Sequence, residues 1–172
     1  MKYKGKTCIC IEVDENGYYL ADFIGKTLAA EKYIFANDIT INFTPESTFQ
    51  TNDNKGQSVF IAESGAEFYG NGKTLTVNGL VFTDPYSSLF GAPADDKKPY
   101  NRESIFKIFD LTIKGDCTFQ RESSGVILGI FQRNYGLGNG GTTMKNVHID
   151  MDITAKSTFT GGMIGYLQYY YK

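Results

Sequence analysis

The chain has 172 residues, 41% hydrophobic and 21% charged, with 17 basic residues against 19 acidic ones. That composition can bury a core in a single domain, and it excludes both intrinsic disorder and the basic excess that wrapping nucleic acid requires. One His, three Cys and no C-x-x-C spacing lead us to expect no metal, cofactor or disulfide framework, and no apolar run of about 18 residues is present to span a bilayer.

In chain order, the first segment lacks an apolar run of signal-peptide length before charges return at Glu12. Ile9, Ile11 and Val13 alternate, Asp14-Glu15-Asn16-Gly17 supplies a turn, and Tyr18, Tyr19, Leu20 and Phe23 follow, which predicts a hairpin. Thr27 to Lys32 holds good helix formers behind a Thr N-cap and predicts a short helix. Hairpin and helix together predict an N-terminal cap over residues 1–35, because a stacked fold needs its open core end covered.

From residue 36 to 172 the chain repeats itself. Asp38-Ile39-Thr40-Ile41, Thr74-Leu75-Thr76-Val77, Asp110-Leu111-Thr112-Ile113 and Asn146-Val147-His148-Ile149 share one grammar, and successive copies start 36 residues apart. Ser124-Gly125-Val126-Ile127-Leu128-Gly129 matches Thr160-Gly161-Gly162-Met163-Ile164-Gly165 at the same offset. The apolar period is 2, so these are strands with Ile39/Ile41, Leu75/Val77, Leu111/Ile113 and Val147/Ile149 facing one way. Such strands bury their apolar face only by stacking on their equivalents. The expected fold is therefore all-β, a right-handed parallel β-helix with 36-residue repeats, rather than a propeller, which needs four strands per blade. Leu75, Leu111 and Val147 are expected in one column, and Val77, Ile113 and Ile149 in the next. Ala92-Pro93-Ala94-Asp95-Asp96-Lys97-Lys98-Pro99 reads as an insertion between rungs.

Gly161-Gly162-Met163-Ile164-Gly165-Tyr166 resembles the GLUG motif of bacterial surface and adhesin-like proteins; Gly125-Val126-Ile127-Leu128-Gly129 departs from it by one Gly at the start. Gly70-Asn71-Gly72-Lys73-Thr74-Leu75-Thr76-Val77, Leu89-Phe90-Gly91 and Met144-Lys145-Asn146-Val147-His148-Ile149 are similar to β-helical repeats of large DNA virus proteins. The resemblance covers residues 66 to 168. It implies a shape and a virion or cell-surface setting, and it brings no catalytic residues.

The residues offer little chemistry. Gly25-Lys26-Thr27 and Gly72-Lys73-Thr74 lack the upstream glycine of a phosphate loop, which Leu20 and Glu67 replace, so they read as turn residues. Asn42-Phe43-Thr44 is a sequon with Pro45 behind it and reads as an accident. His148, Asp150 and Asp152 share the outward face of the fourth copy, an acid cluster with Asp110 and Asp116 on the preceding rung, yet alternating acids also simply solvate an exposed strand. Thr40, Thr76 and Thr112 invite comparison with the flat threonine ladder of ice-binding solenoids, against which stand Lys114 and Asp150 in the next column. Cys117, aligned with Ile153, reads as core. Tyr100, Tyr135, Tyr169, Tyr170 and Tyr171, with Met163, are candidate ligand or interface residues.

The expected function is a non-enzymatic structural or adhesive β-helix of a virion or microbial surface assembly. The alternative is a carbohydrate-active β-helix enzyme, a polysaccharide lyase or glycosidase. The fourth copy is incomplete at Lys172, so an open solenoid end is expected to meet a second copy, another protein or a glycan near Met163 to Tyr171.

Overall fold

The computed structural model describes residues 1–12, 24, 26–44, 58–91, 106–134 and 142–170, which form β-strands and no helix. The predicted hairpin turn at Asp14-Glu15-Asn16-Gly17 and the loop 92–99 lie outside the described residues. A hairpin does open the chain, at a different place. β1 (Lys2–Tyr3) and β2 (Lys6–Thr7) pair antiparallel, with Lys2 opposite Thr7 and Tyr3 opposite Lys6. Lys4 and Gly5 between them have φ of 46° and 81°, the two positive values that a tight hairpin turn of matching twist demands.

Every other described strand pair is parallel. β3 (Ile9–Ile11), β5 (Lys32–Phe35), β8 (Glu67–Phe82), β10 (Lys107–Phe119) and β12 (Thr143–Ala155) lie side by side in that order, and β6 (Ile39–Asn42) also pairs with β8. β4 (Thr27–Leu28), β7 (Ser58–Ala62) and β9 (Ser88–Gly91) form a second sheet, and β11 (Leu128–Asn134) pairs with β13 (Ile164–Tyr170) in a third. Backbone bonds from Leu89 N to Val126 O (2.9 Å) and from Ile127 N to Met163 O (3.0 Å) link the smaller sheets along one wall. The helix expected from Thr27 to Lys32 is a strand instead: Thr27 pairs with Ile61, Leu28 with Ala62, and Leu28 is buried. A segment that short cannot meet the cost of helix nucleation, and sheet pairing overrides its weak propensity.

The register keeps the 36-residue repeat between β6 and β8, between β10 and β12 and between β11 and β13, and departs from it between β8 and β10. β6 sets Ile39 opposite Leu75 and Ile41 opposite Val77, and β12 follows β10 with Leu111 opposite Val147, Ile113 opposite Ile149 and Cys117 opposite Ile153. Between β8 and β10, however, Ile113 faces Leu75 and Gly115 faces Val77, while Leu111 faces Lys73. The expected columns are therefore corrected to Ile39–Leu75–Ile113–Ile149 and Ile41–Val77–Gly115–Met151. Along this pair the offset changes twice. Gly70-Asn71-Gly72 on β8 stands where β10 has only Asp110, a slip of two. Asn78-Gly79 stands where β10 has only Asp116, a slip of one that Gly79 absorbs at φ 67°. A slip of two keeps side-chain parity, so the core face stays the core face. It also breaks the threonine ladder: Thr40 and Thr76 lead to Lys114 and Asp150, whereas Thr74 and Thr112 lead to His148. Gly115, at φ 109°, lets this register form, since a Cβ there would lie 1.8 Å from Val77 O.

The core between the sheets mixes aliphatic side chains with stacked aromatic ones. Parallel strands sit about 4.8 Å apart, so like residues in register stack face on. Phe60 and Phe90, opposite each other on β7 and β9, have ring centroids 5.3 Å apart at 20°. Phe82 and Phe119 do the same on β8 and β10 at 5.3 Å and 7°, and Tyr33 stacks on Phe68 at 5.4 Å. Phe68 joins the stacks by edge contacts to Phe90 (5.0 Å) and Phe106 (6.2 Å). Leu111 is 1% exposed within this core. Leu111→Asp would bury an unpaired charge and should cost about 3 kcal/mol or more, measured by urea unfolding; a variant as stable as the parent would place Leu111 outside the core.

Candidate functional site

Two surfaces concentrate unusual chemistry: the outer strand of the large sheet, and a polar cluster on its outward face. β12 is the last strand of its sheet, and among the described residues only β10 pairs with it. Its apolar side chains Met144, Val147, Ile149 and Met151 pack against the core yet are only half-buried, whereas their partners Leu111 and Ile113 on β10 are 1% and 0% exposed. Ile153 (37%), Met163 (43%) and Phe159 (64%) extend the exposed apolar area.

The structure distributes the sequence-derived candidates as follows. His148, Asp150 and Asp152 are exposed and alternate along the solvent face of β12, opposite Thr112, Lys114 and Asp116. Asp150 contacts Lys114 at 3.5 Å. The other two acids of the supposed cluster serve the fold: Asp116 accepts the Gly79 N–H at 3.1 Å, and Asp110 accepts from Asn146 at 2.8 Å and meets Lys4 at 3.6 Å. Tyr169 and Tyr170 lie on β13, paired through the backbone with Arg133 and Asn134. Tyr100, Tyr135 and Tyr171 lie outside the described residues. Cys117 is 2% exposed, and burial, with Asp116 nearby, pushes its thiol up to about 12, so it is a core residue and no nucleophile. Lys73 and Thr74 sit within β8, where Thr74 N donates to the Asp38 carboxylate at 2.8 Å. Asn42 accepts from Asn78 at 2.9 Å, an amide contact between the paired strands β6 and β8.

The cluster that sequence reading missed is Glu67, Tyr69, Lys6 and Lys107. Glu67 is 9% exposed at the start of β8. Its carboxylate accepts from Lys107 Nζ at 2.8 Å and from the Tyr69 hydroxyl, and Lys6 Nζ stands 3.5 Å away. Lys6 also donates to the Tyr69 hydroxyl at 3.1 Å and lies 5.7 Å over its ring. Tyr69 stacks on Phe109 at 5.3 Å, beside buried Cys8 and Ile34. Four residues from β2, β8 and β10 thereby hold the N-terminal hairpin against the outer face of the sheet. Burial raises the Glu67 pKa, but the hydrogen bonds from Lys107 and Tyr69 and the two lysine charges outweigh it and hold the carboxyl down to about 2. Burial, then the bond to Glu67, raises Tyr69, keeping it a neutral donor. No single motif marks this group; the alternation of Glu67 and Tyr69 on one strand face was its only trace in the sequence.

The glycine motif has a steric basis. Gly125 and Gly161 form a parallel bridge, and a Cβ on Gly161 would lie 1.9 Å from Ile164 O. A Cβ on Gly165 would lie 2.3 Å from the Ser124 backbone, but one on Gly162 would meet nothing within 4 Å. That open position is the one where the other copy carries Val126. Comparison with protein-family models, curated proteins and solved structures gives no match for the chain.

Two predictions arise here. Glu67, depressed in the fold, contributes stability that is present above its unfolded pKa near 4.5 and lost as pH falls toward about 2. Glu67→Gln should remove about one proton of uptake on unfolding in that window, read from urea midpoints between pH 5 and pH 2; equal pH slopes in variant and parent would show that the carboxylate is not engaged. Gly161→Ala should cost about 1–3 kcal/mol by overpacking, while Gly162→Ala stays within about 0.5 kcal/mol; equal thermal melts would contradict the close approach.

Proposed function

We propose that this chain is a right-handed parallel β-helix of about 36 residues per turn that serves as a non-enzymatic structural or adhesive element of a virion or microbial surface assembly, joining other protein through the edge of β12. The observation that carries the reading is β12 itself: a thirteen-residue strand, regular from Val147 onward, whose apolar side is half-buried and whose outer edge has no strand partner among the described residues. A row of unpaired backbone groups beside apolar side chains is the usual template for strand addition. Further support comes from the 36-position register of β10 with β12 and of β11 with β13, and from the GLUG-like glycines at the turns. The glycan-degrading alternative draws nothing from the acids, because Asp110 and Asp116 are committed to the fold and His148, Asp150 and Asp152 stand exposed along one strand.

Two measurements on the whole chain test this. Sedimentation over a concentration series should show association. Incubation with acidic polysaccharides, with and without Ca²⁺, should release no new chain ends. Turnover abolished in Asp150→Asn with Asp152→Asn would overturn the scaffold reading.

A further inference from the structure

The partner at this edge can be specified from its geometry; the argument rests on the proposed role of β12 as an assembly edge. Lys156 N donates to Phe119 O at 2.9 Å. Along a regular strand the direction of the backbone groups alternates, so the even-numbered residues back to His148 turn N–H and C=O toward β10. The odd-numbered ones, Val147 to Ile153, turn theirs to the free edge. These are the residues whose side chains face the core, so a strand docking there extends the hydrogen-bond ladder and the apolar column together.

We infer that the occupant is a second copy of this chain, with β12 paired antiparallel to its counterpart about a two-fold axis through Ile149. A two-fold along the sheet normal reverses the strand direction and leaves the core side unchanged, so the cores of the two copies become continuous. In that register Ile149 faces Ile149 and Val147 faces Met151, all in hydrogen-bonded positions. His148 faces Asp150 on both sides of the axis, in non-hydrogen-bonded pairs, where side chains approach most closely. Neighbouring registers are worse. An axis through Asp150 sets that carboxylate opposite itself, and one through Met151 sets Asp150 opposite Asp152. An axis through His148 sets Asp150 opposite Asn146, whose φ of 54° breaks the regular strand. The axis through Ile149 is thus the one that pairs Val147 to Met151 without opposing carboxylates, and it is self-complementary, as an isologous interface requires. A parallel neighbour stacked in the 36-position register would instead need a cation opposite Asp150, the role Lys114 has on β10 at 3.5 Å.

The test is a charge-exchange cycle on the full chain, followed by sedimentation and light scattering. The parent should form a dimer. His148→Asp should weaken it roughly tenfold or more, because it sets carboxylates opposite one another twice, and Asp150→Lys should weaken it less, by removing the carboxylate that His148 meets. The double variant His148→Asp with Asp150→Lys restores opposite charges and should return the dissociation constant to within about threefold of the parent. Both side chains are exposed, and circular dichroism melts confirm that each variant is folded. Association that ignores both single variants would overturn this register while leaving the assembly edge standing. A chain that stays monomeric at every concentration would overturn both.

Discussion

The structure depends on one constraint: a parallel strand satisfies its backbone only when a strand lies on each side of it. β8 has that on both sides, with β5 and β6 on one edge and β10 on the other, and β10 has it between β8 and β12. Because successive strands are parallel and close to register, each position repeats its own kind at one strand spacing. Phe stacks on Phe at 5.3 Å in two separate ladders, and Asn78 bonds to Asn42 at 2.9 Å, for the same geometric reason. The stacked pairs Phe60–Phe90 and Phe82–Phe119 are columns that a ladder of this kind generates.

The glycines and left-handed residues are what the ladder needs at its corners. Asp110 and Asn146 have φ of 54° in both strands, side by side, and their side chains bond across the gap at 2.8 Å. Asn71 takes the same conformation on β8, φ 55°, inside the longer Gly70-Asn71-Gly72 bulge. The bulge lengthens one strand by two residues relative to its neighbour, and parity is preserved. The one-residue slip further on, where Asn78-Gly79 stands opposite Asp116, is absorbed by Gly79 at φ 67°, so Leu80 and Phe82 stay buried. At the outward face the polar cluster around Glu67 performs a different task, joining the first hairpin to the sheet through two lysines and a tyrosine.

What the sequence reveals of this follows from where its signals lie. The pairings of Leu111 with Val147 and of Ile39 with Leu75 were legible because nothing intervenes to alter the spacing between copies. The slip between β8 and β10 was not, because the extra glycine-rich residues precede the matched motif and leave its own pattern intact. Helix propensity misread Thr27 to Lys32, where pairing with β7 decides the conformation. The latch escaped notice because Lys6, Glu67, Tyr69 and Lys107 are brought together by topology alone. Its hairpin turns on Lys4-Gly5, which lacks the Asn or Asp that makes such turns conspicuous.

The ladder should leave a signature in β12 that no other arrangement reproduces. Amide hydrogen exchange, resolved residue by residue and at a dilution where light scattering shows the monomer, reads it directly. The account predicts slow exchange throughout Leu75 to Val77 and Leu111 to Ile113, and an alternation in β12 in which His148, Asp150 and Asp152 exchange slowly while Val147, Ile149 and Met151 exchange fast. Uniform protection along β12 in the monomer would mean that its edge is already covered, and would contradict the account.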